Sequence, residues 1–149
     1  MVARPAPSLR ARALRFLARR EHSRAELQRK LAALNDEGVD LDALLDELAA
    51  RGWLSDARFA QQCVRTKSRR FGPARLVQRL RASGIDNETI ALALREGGDP
   101  QVNLEAVWKS RFRDAPRDDR ERGRQVRFLQ GRGFALEEIL RFLKGLPRA

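Results

Sequence analysis

Three glycines at nearly equal intervals are the sequence feature that most restricts the fold of this chain. Gly38, Gly84 and Gly133 lie 46 and 49 residues apart. A leucine stands four residues before each glycine and an apolar residue directly after it: Leu34, Leu80 and Leu129, then Val39, Ile85 and Phe134. Apolar residues also stand six and ten residues after each glycine: Leu44, Ile90 and Ile139, then Leu48, Leu94 and Leu143. Because positions four residues apart share one face of an α-helix, the pattern indicates one helical unit repeated three times.

Helix start and stop signals agree with this repeat. Apolar residues recur at helical spacing throughout, and no segment alternates as a strand does. Ser23 with Glu26 forms a capping box, Pro73 and Pro100 suit first helical turns, and the three repeat glycines suit helix ends. These signals predict helices over residues 9–20, 24–35 and 41–50, then 56–70, 73–82 and 87–95, then 100–112, 118–130 and 136–144.

The repeat sets the expected fold class and domain organisation. We expect an all-α chain of three tandem three-helix repeats at residues 9–54, 55–98 and 99–149, preceded by a flexible segment at residues 1–8. Units of this length contact mainly their neighbours, so an elongated or curved array is expected. Four aromatic side chains in the apolar register are expected to pack in the cores or between units: Trp53, Phe59, Phe128 and Phe134.

The charge of the chain predicts an anionic partner. A formal net charge of +11, from 31 Lys and Arg residues against 20 Asp and Glu, attracts nucleic acid or an acidic protein surface. Residues 55–82 alone hold eight basic residues and one acidic residue. Solvated helix faces usually mix both signs, so this uncompensated stretch predicts a binding face.

Three-helix units are also typical of helix-turn-helix transcription regulators, in which a recognition helix enters the major groove. The third helices here carry carboxylates that DNA phosphates would repel: Asp42, Asp46, Glu47, Glu88, Glu137 and Glu138. A contact with nucleic acid is therefore expected to follow the phosphate backbone and to tolerate any sequence. The open alternative is that the array lies on an acidic protein.

The sequence offers no evident catalytic constellation. His22 is the single histidine, stands at a helix junction and is expected to face solvent. Cys63 has no histidine nearby to activate it, and no glycine-rich phosphate loop is present. The carboxylate pairs at residues 118–119 and 137–138 begin helices, where they suit the helix dipole. We therefore expect no enzyme, no metal and no cofactor.

The cysteine content and the hydropathy pattern predict a cytoplasmic protein. One cysteine cannot form an internal disulfide, which fits a reducing compartment. Residues 1–8 lack the apolar core of a signal peptide, and no run approaches the roughly 18 apolar residues of a membrane span.

Three motifs, in this order and spacing, resemble the RecX family of regulators of the RecA recombinase. They are LARREHSRAEL at residues 17–27, GWLSDARFA at residues 52–60 and FGPARL at residues 71–76. The sequence FLQGRGF at residues 128–134 is similar to the closing motif of the family. The resemblance covers residues 9–144, and the second motif is its most specific part.

The resemblance implies a chain of three-helix repeats that settles in the groove of the RecA–DNA filament, inhibits the ATPase and strand exchange of RecA, and promotes loss of the filament. We also expect a monomer, and the charge predicts contact with single- or double-stranded DNA through backbone phosphates. The alternative is a sequence-tolerant DNA-binding protein that acts without RecA. Arg79 departs from the family pattern, which often has Glu there. The candidate binding residues are Arg65, Lys67, Arg69, Arg70, Arg75, Arg79 and Arg81 in the middle unit, and Arg122, Arg124, Arg127 and Arg132 in the third.

Overall fold

The computed structural model describes residues 4–148, and all regular secondary structure in that range is α-helical. The helices are α1 (Leu9–Arg19), α2 (Arg24–Ala32), α3 (Leu41–Ala50), α4 (Asp56–Lys67), α5 (Pro73–Ala82), α6 (Asn87–Glu96), α7 (Pro100–Lys109), α8 (Asp119–Gly131) and α9 (Leu136–Lys144). Helices α1–α3 form unit 1, α4–α6 unit 2 and α7–α9 unit 3. The predicted all-α fold of three tandem three-helix units is confirmed. Of the N-terminal segment predicted to be flexible, residues 1–3 lie outside the described range, as does residue 149.

Local signals explain where most of the helices begin. The side chains of Ser23, Ser55, Asp86 and Asp118 each accept a hydrogen bond from a backbone N–H in the first turn of the helix that follows. Three predicted helix ends were too late, since α2, α4 and α7 end at residues 32, 67 and 109. After α4 and α7 the chain continues in tighter turns with i→i+3 bonds, which keep Phe71 and Phe112 in the apolar register without extending the helix.

Each unit has its own core. Unit 1 is centred on Leu27, Leu31, Leu45 and Leu48, unit 2 on Ala60, Leu80 and Ile90, and unit 3 on Val107, Leu129 and Ile139. These residues are at most 3% exposed. Helices pack mainly against others of the same unit. The units therefore act as separate small cores within one chain, and the contacts between them are made elsewhere.

The repeat pattern fails at one place in unit 1. Leu34 and Val39 are exposed, whereas their counterparts in units 2 and 3 are buried. In unit 2 the chain turns directly after α5, with Ile85 N–H donating to the Leu80 carbonyl. In unit 1, α2 ends early, and the longer turn is closed by the Asn35 side chain, which bonds both the N–H and the carbonyl of Val39. Leu31 occupies the core position that the pattern assigned to Leu34.

The units meet through the ends of their second helices. At the first joint, between units 1 and 2, the Ser23 hydroxyl at the start of α2 donates to the Ser83 carbonyl at the end of α5, at 2.7 Å. At the second joint, between units 2 and 3, Gly72 N–H donates to the Arg132 carbonyl at 2.7 Å, and Ala74 N–H to the Gly133 carbonyl at 3.1 Å. At each joint, backbone carbonyls at the end of one second helix have no partner within that helix. They accept hydrogen bonds from groups at the start of the second helix of the preceding unit. In space, the end of α8 meets the start of α5, and the end of α5 meets the start of α2. The three units therefore form a row.

The repeat glycines are required at these joints for two reasons. Gly84 and Gly133 have φ values of +81° and +100°, which residues with a Cβ atom rarely adopt. A Cβ on Gly84 would lie 2.5 Å from the Ala25 Cβ, and one on Gly133 would lie 2.5 Å from the Arg75 Cβ. Gly38 also has a positive φ of +68°, but a Cβ there meets nothing within 4 Å. The repeat glycine therefore lies at a joint in units 2 and 3 and on an open surface in unit 1.

This difference supplies a matched pair of substitutions. We expect Gly133→Ala to lower the free energy of unfolding by about 3 kcal/mol, because backbone strain adds to a collision with Arg75. Gly38→Ala carries the backbone strain alone and should cost about 1 kcal/mol. Urea denaturation followed by circular dichroism measures both. Equal losses in the two variants would show that the second joint contributes nothing to stability.

Candidate polyanion-binding surface

Ion pairs divide the basic residues of this protein into two groups. In the described part of the chain, seven basic residues pair with carboxylates, and five of them bond carboxylates of unit 1: Arg10, Arg20, Arg24, Arg51 and Arg58. Among the described residues, no carboxylate forms an ion pair with any of the eleven basic residues expected to bind a partner. Four basic residues of unit 1, Arg10, Arg20, Arg24 and Arg51, therefore pair with carboxylates of their own unit, whereas the candidate residues have no such pairing.

The second joint gathers three of the candidate residues around one aromatic ring. The guanidinium carbons of Arg70, Arg75 and Arg132 lie 5.6, 4.9 and 5.6 Å from the centre of the Phe71 ring. Arg132 also lies 5.2 Å from the centre of the Phe128 ring. Each cation is attracted to the negative face of a ring, which offsets part of the repulsion among the three. Units 2 and 3 thus share one cluster of positive charge.

The backbone of the joint holds this cluster in place. Arg75 donates a hydrogen bond from its guanidinium to the Gly131 carbonyl at 2.7 Å, across the joint. The Arg132 carbonyl accepts from Gly72 N–H. The cluster exists because α5 begins where α8 ends, so it depends on the relative position of two units and not on either unit alone.

A cleft at the first joint contains two more of the candidate residues. Lys67 on α4 and Arg79 on α5 line a hollow of about 420 Å³, together with Arg20 of unit 1 and the buried Cys63. Glu21 and Glu26 also line the hollow, but they pair with Arg58 and Arg20 at 2.9 and 2.8 Å. Burial raises the pKa of the Cys63 thiol, against the opposite effect of Arg79 and Lys67. Cys63 therefore stays protonated near neutral pH and supplies no thiolate to this cleft.

Helix α5 connects the two joints. Arg75 and Arg79 are one helical turn apart and lie on the same exposed face of α5. A continuous set of cations therefore runs from the Phe71 cluster along α5 to the cleft of the first joint. We call this set the basic path, and it consists of Lys67, Arg70, Arg75, Arg79 and Arg132.

The remaining candidate residues lie outside the basic path. Arg65 lines a different hollow beside Glu96 of α6, and Arg81 donates to the Asn87 side chain at 3.1 Å. Arg127 folds back over Gly123 on α8. Arg69, Arg122 and Arg124 are exposed, and no recorded contact joins them to the basic path. The structure thus brings five of the eleven residues together and leaves six dispersed.

Two aromatic rings that support the basic path, those of Phe71 and Phe128, were not among the binding residues predicted from the sequence. The Phe71 ring makes cation–π contacts with three arginines. The Phe128 ring makes them with Arg132 and with Arg111, whose guanidinium carbon lies 5.6 Å from the ring centre. The motif that contains Phe71 places Arg70 beside it, and that adjacency was a usable signal. Arg111 had no such signal, since only the fold places it near Phe128. Phe134 is 4% exposed, as the prediction of a packing role requires, and Phe59 and Phe128 pack partly buried against their cores.

The expectation that His22 faces solvent is wrong. His22 is 1% exposed, and its ring lies near that of Phe16. Nε2 lies 2.9 Å from the Lys30 ammonium and Nδ1 lies 3.0 Å from the Arg20 carbonyl. An ammonium can only donate, so Nε2 accepts and Nδ1–H donates to the carbonyl. Burial is the main cause that lowers the pKa of His22, and the nearby cations act in the same direction. His22 is therefore a neutral structural residue beside the first joint.

The expectation that Trp53 packs in a core or between units is also wrong. Trp53 is 42% exposed, while the next residue, Leu54, is buried. Gly52, with φ +76°, reverses the chain after α3, and the N–H groups of Trp53 and Leu54 both donate to the Leu48 carbonyl. This turn directs Leu54 into the core and leaves the indole outside it.

Metal-ligand clusters and membrane-spanning helices are both absent from the described residues. In residues 4–148, no group of three or more histidine, cysteine or acidic side chains is arranged to hold a metal ion. Within the same range, no helix has both the length and the apolar character needed to cross a membrane. The basic path is the candidate functional site of this protein.

Comparisons with known proteins agree on one family. Models of the first, second and third three-helix domains of RecX match residues 10–37, 55–94 and 99–143. The regulatory protein RecX of Chromobacterium violaceum is 45% identical over 138 residues, which cover 93% of this chain and 90% of that protein. The regulatory protein RecX of Ralstonia pickettii is 41% identical over 139 residues, covering 93% of this chain and 87% of that protein.

Solved structures agree on the fold. The crystal structure of RecX from Lactobacillus salivarius superposes with a TM-score of 0.79 at 20% identity, covering 91% of this chain and 92% of that chain. A second crystal structure of a regulatory protein RecX gives a TM-score of 0.76 at 24% identity, covering 91% of this chain and 71% of that chain.

Proposed function

This chain belongs to the RecX family of regulatory proteins, and from that premise we propose that it is a negative regulator of the RecA recombinase. It binds in the groove of the RecA–DNA filament, inhibits ATP hydrolysis and strand exchange, and promotes disassembly of the filament. It acts as a monomer in the cytoplasm, without cofactor or catalysis of its own. The observation that carries this proposal is the basic path, five cations that cross two joints without an internal carboxylate partner.

The shape and chemistry of the basic path suit such a partner. A filament presents repeated, regularly spaced groups along its groove, and a row of units joined end to end can contact several of them together. Guanidinium groups bind phosphate and carboxylate oxygens through planar, paired N–H donors. The contacts require no particular base, so binding tolerates any DNA sequence. The geometry of the second joint keeps Arg70, Arg75 and Arg132 preorganised, which lowers the entropy lost on binding.

A second candidate function rests on the same charges. A chain that binds DNA phosphates through the basic path could act on DNA without RecA. Phosphate contacts release condensed counterions, so this function predicts a steep loss of affinity with rising salt on bare DNA. Binding to the RecA–DNA filament but not to bare DNA would reject this alternative and favour the filament.

The DNA-dependent ATPase activity of RecA provides the direct test. We expect ATP hydrolysis on preformed filaments to fall as this protein is added, reaching a plateau at saturation. Bovine serum albumin at equal concentration serves as a control for nonspecific protein effects. Full ATPase activity at saturating concentrations of this protein would refute the proposed function.

A further inference from the structure

Trp53 and its two arginine neighbours form a surface separate from the basic path. We propose that Trp53, Arg10 and Arg51 dock onto a protein surface that offers a carboxylate beside an apolar side chain. The inference rests on the proposed function in one respect, since in the filament this protein surface belongs to the recombinase subunits and not to the DNA. Unit 1 then binds protein, while units 2 and 3 bind the polyanion.

The geometry around Trp53 is held by side chains from two helices. The guanidinium carbons of Arg10, on α1, and Arg51, directly after α3, lie 5.6 and 5.2 Å from the centre of the indole ring. Glu47 Oε1 accepts from Arg10 Nε at 3.0 Å and lies 3.3 Å from Arg51 Nε. One carboxylate therefore positions both arginines against the exposed indole. The arrangement presents an aromatic surface with a fixed polar border.

The charge of this cluster sets the chemistry of its partner. Glu47 supplies one negative charge and the two arginines supply two positive charges, so one positive charge remains. Both arginines meet Glu47 through Nε, which leaves their terminal nitrogens able to donate to an incoming oxygen. One partner carboxylate balances the cluster. Exposed tryptophan and arginine are also the residues that most often dominate the binding energy of protein interfaces.

The surroundings of the cluster favour protein over nucleic acid. Helix α3 also carries Asp42 and Asp46, whose side chains are 78% and 71% exposed. A phosphate chain lying along α3 would meet these carboxylates and be repelled. Arg24 of α2 lies within ion-pair distance of both and offsets only one of the two charges. The carboxylates nearest the basic path, Glu21 and Glu26, are each paired with an arginine outside it. The two surfaces therefore suit different partners.

Substitution of Trp53 separates the two surfaces. We expect Trp53→Ala to weaken binding to a RecA–single-stranded-DNA filament at least tenfold and to change affinity for the bare oligonucleotide less than twofold. Arg51→Glu, which keeps the indole, should weaken filament binding in the same way. Leu92→Ala is the matched control, because Leu92 is 43% exposed on α6 and far in sequence from the cluster. Fluorescence anisotropy of a labelled oligonucleotide, bare or within the filament, measures each affinity, and circular dichroism verifies folding.

Each outcome decides between the surfaces. Unchanged filament binding by both Trp53→Ala and Arg51→Glu overturns the inference, and so does an equal loss of affinity for filament and bare DNA. Loss of filament binding by Leu92→Ala of the same size overturns it as well, because any exposed apolar residue would then serve. If the unsubstituted protein binds DNA but not the filament, the proposed function fails first, and the inference fails with it.

Discussion

Leu80→Asp is expected to unfold the middle unit. Leu80 is fully buried on α5, in the core cluster that also contains Ala60 and Ile90. Removal of the leucine side chain leaves a cavity, and the aspartate brings a carboxylate into a site where the surrounding side chains are apolar. Together these effects lower the free energy of unfolding by about 5 kcal/mol, which is comparable to the whole stability of a small domain.

Urea denaturation followed by far-ultraviolet circular dichroism tests this expectation. The substitution Leu92→Asp introduces the same charge on the neighbouring helix α6, at a side chain that is 43% exposed. It should change stability by only about 0.5 kcal/mol. A Leu80→Asp variant as stable as the Leu92→Asp variant would mean that the repeat register in unit 2 is wrong.

Reversal of two charges at the second joint is expected to have the largest effect on binding. Arg70→Glu with Arg132→Glu removes two of the three guanidiniums around Phe71 and places carboxylates there instead. Arg75 is retained, because its bond to the Gly131 carbonyl supports the joint itself. We expect affinity for single-stranded DNA and for the RecA–DNA filament to fall at least about 30-fold, equivalent to about 2 kcal/mol.

The salt dependence of binding distinguishes direct phosphate contacts from a general change of charge. Loss of two phosphate contacts should reduce the slope of log affinity against log salt by about 1.4 on single-stranded DNA. The matched control is Arg15→Glu with Arg29→Glu, which changes the net charge equally at two exposed residues of unit 1. This control should lose less than about threefold in affinity. Equal losses in the two double variants would show that the basic path has no special role.

Local pattern was sufficient for the helices, the units and most of the cores. Helical periodicity, caps and stop glycines act over a few residues, so the starts of α5 and α9 and the burial of Leu80, Leu129 and Ile139 follow from neighbouring residues. The pattern failed at Leu34, where the turn after α2 is longer and is closed by the Asn35 side chain. A bond between a side chain and the backbone four residues away has no periodic signal.

The binding surface depends on contacts that join distant parts of the chain. The charge count located an uncompensated basic stretch, but it could not separate Arg75, which lies on the basic path, from Arg81, which bonds Asn87. That distinction arises because the end of α8 meets the start of α5, and only the packed units bring Arg132 to Phe71.

The repeat glycines show what local sequence determines and what tertiary packing determines. The sequence by itself determined that Gly84 and Gly133 end helices, because a left-handed turn at a helix end is a local requirement of the backbone. The same prediction was wrong for Gly38, because α2 already ends at Ala32. The tertiary structure decided that Gly84 and Gly133 also form joints while Gly38 faces open space. It likewise decided that His22 is buried and Trp53 exposed. These outcomes depend on which helix surfaces pack together after the helices form. The residues next to a side chain in the sequence do not determine that packing.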